Sequence, residues 1–344
     1  MTVALLINGN RYEGWTQARV SMGIEQLSGA FDLTVISNII GGPGWPVQRD
    51  DQCQLLVDGQ VVISGHVDQV ESGYSKTEGR VMRVAGRDKT ADLIKASAEP
   101  VQEWRDVPLS KIGNDLLKAY GITANYNGGP AGNIPSHIVE NSETVMDCLT
   151  RACNYQGVLP FPDGLGGLTI GVAGAGRMST PLVNREGQTR ILSGKKLDSS
   201  ADQHSEYILR GGNEQWQGSD AIARGEARVK DSRIVRHTPK VVIADNAGGK
   251  QTLRQRAEHL RRVRQAKGLE YRYSVQGWTH GNQVWRPNFL IHVHDDVLPV
   301  TGELLISQVE LSLDKEAGSL SDLTLVPPAT YAQLADQPAT ATVN

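Results

Sequence analysis

The sequence predicts a mainly β, α+β chain in which two related, small barrel-like β units flank an α+β segment. Three observations carry this. First, LLVDGQVVISGHVDQV (residues 55–70) and IHVHDDVLPVTGELLISQVEL (residues 291–311) read as copies of one hairpin. Each has an apolar run, an acidic turn, a second run and a Ser/Thr-Gly pair. The step from Asp58 to Gly65 is seven residues, as is the step from Asp295 to Gly302. Second, 37 glycines against only 3 phenylalanines favour many turns over a large aromatic core. Third, the alternation typical of strands gives way to a helical period after Gly86. Two unrelated hairpins could share such a pattern, but duplicated β-modules would let one chain build a ring of twice its subunit symmetry.

The elements follow in order. Residues 3–7, 17–24 and 30–36 alternate as strands, and Gly41 to Pro46 (GGPGWP) breaks the pattern as a loop. Residues 53–57 and 61–70 form the first hairpin, and 79–86 closes the set. Asp88 is placed to cap a short helix whose apolar face is Ala91, Leu93 and Ile94. A second helix starts at Pro108 and stops at Gly121. A third spans 142–155, with Val145, Met146, Leu149, Ala152 and Cys153 turned inward; residues 159–174 then read as a hairpin. Strands return at 207–211, 221–230 and 241–244, a helix covers 252–266, and strands at 271–278, 288–293, 303–313 and 320–326 complete the second β unit. The implied division is 1–96 first β unit, 97–178 α+β unit, 179–327 second β unit, and 328–344 an extended or disordered tail rich in Pro, Ala and Thr.

Bulk properties exclude several classes. With 35 basic and 38 acidic residues the formal charge is −3, which gives no general attraction to nucleic acid or anionic lipid. Three cysteines, Cys53, Cys148 and Cys153, read as reduced, buried thiols of a protein made in a cytoplasm. The N-terminus lacks a signal-peptide pattern, and no apolar stretch is long enough to span a bilayer, so no membrane insertion is expected.

Candidate chemistry is sparse. His292 and His294 share a strand face ahead of Asp295 and Asp296 and could ligate a metal, but no third or fourth ligand is marked. A solvated strand end is the preferred reading, and no metal or cofactor is expected. Residues 164–167 have Thr169 where a dinucleotide fingerprint needs glycine, and Gly249-Lys250 is followed by Gln251, which rules out a Walker loop. His66, Asp68 and His137 could enter a hydrolytic constellation without any supporting motif. Between 224 and 272 there are 14 Lys and Arg against 5 Asp and Glu; from 292 to 344 there is 1 Lys against 8 acids. The basic helix, with Arg261 and Arg262, is a solvated face, a nucleic-acid patch or, in preference to the latter, a partner for an acidic surface on a neighbouring subunit. Trp15, Trp45, Trp216 and Trp285 are core residues or, alternatively, stacking platforms for carbohydrate.

At Val84–Arg87 and the following Asp88-Lys89-Thr90-Ala91-Asp92-Leu93-Ile94, the chain resembles the Mu-like phage baseplate hub family, grouped with late-control tail proteins and the hub-like part of type VI spike proteins. The resemblance extends over SMGIEQLSGAFDLTV, NSETVMDCLTRACNYQGVLPFPDGLGGLTI, YSVQGW, VWRPNFLIHVHDD and GELLISQVELSLDKEAGSLSDLTL, about residues 15 to 328. It implies a non-enzymatic, homotrimeric ring with pseudo-sixfold symmetry at a contractile tail's baseplate, adapting a hexameric tube to a trimeric spike. Implied partners are the central spike and the tail tube or its initiator, together with tape measure and wedge proteins; nucleic acid enters only as it passes through the channel. The place implied is the virion tail, assembled in the host cytoplasm. No catalytic residues carry over; Arg87 and Asp92 are expected to fix the strand-to-helix corner. Trp45, Arg261 and Arg262 are expected interface residues. Some family members carry lysozyme-like or spike domains that have no counterpart here, so cell-wall cleavage would fall to a partner. A wall-binding β-protein, and after it a peptidoglycan hydrolase, are the rival readings.

Overall fold

A computed structural model describes residues 2–37, 46–76, 79–99, 103–128, 132–174, 176–185, 190–211, 226–244 and 253–332. The first β unit comprises β1 (Val3–Ile7), β2 (Gln17–Gly23), β3 (Ala30–Ser37), β4 (Gln52–Val57), β5 (Gln60–Ser75) and β6 (Gly79–Asp88). The second comprises β7 (Leu182–Asn184), β8 (Ile191–Asp198), β9 (Leu269–Gln276), β10 (Phe289–Asp295), β11 (Val300–Asp314) and β12 (Gly318–Val326). Strand β2 shows why such sequences make half-buried strands: Ala18, Val20 and Met22 point inward while Gln17 and Arg19 face water.

The two units are not separate closed barrels. Their strands join one 14-stranded sheet, in the order β8-β9-β12-β11-β2-β3-β6-β5-β4-β1, with the short Asn10–Tyr12 strand beyond β1 and β10 beside β11. The link is the antiparallel pairing of β11 with β2, from Gln308↔Gly23 to Leu313↔Ala18. No sheet closes on itself among the described residues. One large core serves both units, with Leu5, Leu33, Leu55 and Ile63 in the same cluster as Tyr273, Trp278, Trp285 and Ile306.

Between the units lies the α+β segment. Helices α1 (Ala91–Lys95), α2 (Leu109–Leu117) and α3 (Val145–Gln156) carry its apolar faces. The Thr144 hydroxyl accepts from Asp147 N at the start of α3, and Gly157 ends it in the left-handed region, φ 68°. Trp104, Ile112, Met146 and Leu149 form a separate core with Ile170. Two small sheets complete the segment: Glu103–Pro108 with Asn133–Ile138, and Leu159–Pro162 with Leu168–Gly171 and Ala124–Asn127.

Helix α4 (Leu253–Lys267) packs Ala257, Leu253 and Leu260 against Leu209, Val229 and Val242 of a small sheet formed by Glu206–Gly211, Glu226–Lys230 and Pro239–Ala244. Where the composition predicts an extended tail, Pro328–Tyr331 instead forms a 3-10 turn. It is held by buried Thr330 and by a 3.2 Å bond from Tyr331 Oη to Glu25. No helix among the described residues is long and apolar enough to cross a membrane.

Candidate assembly site

The two β units share a pairing order. In the first, β2 pairs β3, β3 pairs β6, β6 pairs β5 and β5 pairs β4; in the second, β8 pairs β9, β9 pairs β12, β12 pairs β11 and β11 pairs β10. Every one of these pairs is antiparallel. The units diverge at the last strand, where β1 joins β4 antiparallel and β7 joins β10 parallel.

The likeness reaches individual residues. Strand β5 carries a bulge between Val67 and Gln69, and β11 carries one between Ile306 and Gln308. Aligning the bulges sets Val67-Asp68-Gln69-Val70-Glu71 on Ile306-Ser307-Gln308-Val309-Glu310. The hairpins then run in step, Ser75↔Gly79 in one and Asp314↔Gly318 in the other, with Gly79 and Gly318 both at positive φ. This corrects the equivalence read from the Ser/Thr-Gly pairs, because Gly65 now corresponds to Leu304 and not to Gly302. Gly65 is needed because a Cβ there would fall on the Arg87 carbonyl, whereas Gly302 has open space around it and φ +150°.

Beyond each bulge, one edge of the long strand faces away from its hairpin partner. In β11 that edge is filled by β2, and Ile24 N donates to Ser307 O at 2.9 Å. In β5 the edge past Val67 has no strand partner among the described residues, and Tyr74 is 90 % exposed. At the far end of the sheet, β8 pairs with β9 and with no other strand among the described residues, and Leu197 is 53 % exposed. Unpaired edges of this kind are templates for strand addition.

The corner from β6 into α1 is tied by Asp88, which is 2 % exposed. Its Oδ1 accepts from Thr90 N at 3.0 Å and lies 3.0 Å from Thr90 Oγ1, whose one proton is within reach of both Asp88 Oδ1 and Leu27 O. Burial pushes the Asp88 carboxyl up to about 6 against these bonds. Arg87 turns away from the corner to Asp68, with Nε to Oδ2 at 2.6 Å, and Asp92 lies 3.8 Å from His66 Nδ1. Sequence reasoning missed Arg286. Its Nη2 donates to Val61 O at 2.6 Å and its Nη1 to Asp163 O at 3.2 Å, joining the second unit to the first and to the α+β segment. Arg286 lines a cleft of about 430 Å³ with Asp88 and Asn288. Nothing in its sequence context marks it, since Trp285-Arg286-Pro287 carries no recognisable motif.

The other candidates separate. Trp45 and Trp216 lie outside the described residues, while Trp15 and Trp285 are buried. Arg262 is exposed on α4; Arg261 is half-buried and donates to Lys230 O at 3.4 Å. His294 spends both ring nitrogens, on Asp296 Oδ1 at 2.9 Å and on Thr301 Oγ1 at 3.1 Å. No group of three or more His, Cys, Asp or Glu could hold a metal among the described residues. His137 sits 3.4 Å from Cys148 Sγ, but the thiol is fully buried and pushed up to about 12 by burial and Glu143, the reverse of an activated nucleophile.

Residues 2–88 match the family described as Mu phage baseplate assembly protein GpP-like, N-terminal. Residues 90–172 match the baseplate hub protein gp44-like second domain, and residues 249–333 the Mu GpP fourth domain. The chain is 30% identical over 339 residues to the baseplate hub protein gp44 of Escherichia phage Mu, covering 95% of this chain and 88% of that protein. Among solved structures, the 43 kDa tail protein of prophage MuSo2 from Shewanella oneidensis is similar at TM-score 0.83 and 25% identity, covering 97% of this chain and 100% of that one. A Neisseria meningitidis tail protein shares the fold at TM-score 0.80 and 19% identity, over 97% and 99% of the two chains. A type VI secretion component of E. coli shares it at TM-score 0.61 and 10% identity, over 99% and 80%.

Proposed function

This chain belongs to the Mu-like phage baseplate hub family, and from that premise we propose that three copies of it close into a ring joining a hexameric tail tube to a trimeric central spike. Its role is that of a structural baseplate hub in a phage tail. The observation that carries the ring is the repeated β unit: two modules with the same pairing order in one polypeptide give three chains six comparable modules. A trimer can then meet sixfold geometry above and threefold geometry below.

The partners in this reading are the spike and the tube or its initiator, with tape measure and wedge proteins around them. Nucleic acid is in contact only in transit through the channel, the protein does not insert into a membrane, and assembly takes place in the host cytoplasm. The division 1–96, 97–178, 179–327 and 328–344 is kept as the working description. Arg87 and Asp92 are proposed to brace the region where β5, β6 and α1 meet, and Trp45, Arg261 and Arg262 to face neighbours.

The reading is non-catalytic: the buried, proton-holding Cys148 and the fully bonded His294 are placed for packing. A carbohydrate-binding role loses its motive at Trp15 and Trp285, whose rings are inside the core. Light scattering on the purified chain together with electron micrographs tests the ring. Three chains per particle and a central opening are expected; a lone subunit at every concentration would overturn it.

A further inference from the structure

Residues 206–267 build a unit with a core of its own. Leu209, Val229 and Ala257 form a cluster apart from the large shared core, with Val242, Leu253 and Leu260 packed on it. The unit is inserted between β8 and β9, and its root is narrow. The β8–β9 ladder ends at Asp198↔Leu269, followed by one bond from Ser199 N to Gly268 O at 2.8 Å. Among the described residues, α4 packs outside this unit chiefly on the C-terminal turn Pro328–Tyr331. We propose that residues 206–267 are a hinged module that swings about Ser199 and Gly268, and that the C-terminal turn is the latch holding it against the shared sheet. The proposal stands apart from the ring reading, since hinge and latch lie within one chain.

The root has the build of a hinge. A Cβ at Gly268 would lie 2.3 Å from Ser199 O and 2.2 Å from Gln203 Nε2, so glycine is what lets the two connecting segments run this close. Gln203 Nε2 donates to Ser199 O at 2.9 Å, which turns the first connector at the end of the ladder. Hinges are a few residues at element ends that absorb the change in φ and ψ. Beside the root lies an open cleft of about 630 Å³. Asp202 and Lys267 line it on the module's side, and Gln26, Glu270 and Gln308 on the sheet's. The cleft leaves the module room to move.

The latch reaches both sides. On the module's side, the His259 side chain of α4 hydrogen-bonds the backbone of Ala332. On the sheet's side, Tyr331 Oη donates to Glu25 Oε1 at 3.2 Å, and the Tyr331 ring packs against the cluster of Ile24, Phe161, Leu305 and Val326. Thr330 is buried, and its Oγ1 has no hydrogen-bond partner among the described residues. Latching therefore withholds that hydroxyl from water and release returns it, so the held state carries a cost of its own. Release would move the exposed Arg262 relative to the shared sheet while leaving the β8–β9 ladder paired.

A pair of spin labels on the full chain tests this. Arg262→Cys on α4 and Asp322→Cys on β12 are exposed changes, whereas Cys53, Cys148 and Cys153 are buried, so the labels go to the new sites. Diluting labelled chain in excess unlabelled chain restricts the reading to distances within one subunit. With the latch intact the labels should report one narrow distance. Tyr331→Ala and, separately, His259→Ala should each shift part of the population to a second distance while circular dichroism stays unchanged. Should Tyr331→Ala lose its fold, His259→Ala decides, because it breaks the latch from the module's side and leaves the Tyr331 packing in place. Two distances with the latch intact, or a single unchanged distance in a folded chain whose latch is broken, overturns the proposal.

Discussion

Arg286 Nη2 donates to the carbonyl oxygen of Val61 across 2.6 Å, so a guanidinium from the second β unit bonds the backbone of the first. The group is partly buried, and burial lowers its pKa from the ordinary arginine range, a cost offset by the two carbonyl acceptors, Val61 O and Asp163 O. A charged donor to a carbonyl contributes about 1.5–3 kcal/mol. Arg286→Ala is therefore expected to cost about 2–4 kcal/mol of unfolding free energy, measured by denaturant titration. Arg286→Lys should recover less than half, because one ammonium does not span both carbonyls with a planar fork.

Asp88 makes the stability depend on pH with a definite sign. Its carboxyl titrates near 3.8 in the unfolded chain and is pushed up to about 6 by burial when folded, against the opposing bonds from Thr90. The native state therefore holds the proton more tightly. The contribution is present below the unfolded value and is lost as pH rises through about 6. At roughly 1.4 kcal/mol per pH unit, the swing is about 2–3 kcal/mol. Asp88→Asn keeps an Oδ1 acceptor for Thr90 and removes the titration. Across thermal melts between about pH 4 and about pH 7, the wild-type melting temperature should fall relative to that of the variant as pH rises. Parallel curves would show that Asp88 does not titrate in that window.

The two glycines that look alike in the sequence should respond differently. A methyl group at Gly65 would overlap the backbone of Arg87 and Asp88, and neither strand can give way without breaking the β5–β6 ladder. Gly65→Ala is expected to cost more than about 3 kcal/mol or to abolish folding. Gly302 has free space and only its positive φ to pay for, so Gly302→Ala should cost about 1–2 kcal/mol. Expression level and melting temperature separate the two. Equal effects would restore the glycine-based alignment of the repeats.

Much of this fold is legible along the chain because its buried strands alternate cleanly. Val20 and Met22, or Phe31 and Leu33, declare their faces, and Pro108 and Gly121 mark helix ends. Strand β8 was invisible for the opposite reason. Ile191–Asp198 reads ILSGKKLD with no alternation, and nearly all of it is exposed in the single subunit. Glu103–Pro108 and Asn133–Ile138 are hidden likewise, being short, polar and, among the described residues, paired only with each other. The repeat was detected from its turns, which differ between the copies. The matching bulges at Asp68 and Ser307, which fix the register, leave no mark on hydropathy. Arg286 was illegible because its partners, Val61 O and Asp163 O, are backbone atoms far away in sequence.

The basic helix can be divided by burial. Arg262 is exposed, while Arg261 is half-buried, bonds Lys230 O and holds a buried Nε that has no hydrogen-bond partner among the described residues. Reversing Arg262 should leave the subunit intact, with Arg262→Glu changing stability by less than about 0.5 kcal/mol. Arg261→Glu should destabilise the packing of α4 on its three-stranded sheet, so it is the less informative variant. If α4 meets an acidic surface of a neighbour, Arg262→Glu lowers the yield of complete particles, and the defect grows with ionic strength because the remaining attraction is screened over about 8–10 Å. Complementation of a hub-deficient phage, scored as particles per cell at two salt concentrations, measures this. Normal yield from a stable Arg262→Glu protein would take the helix out of the interface.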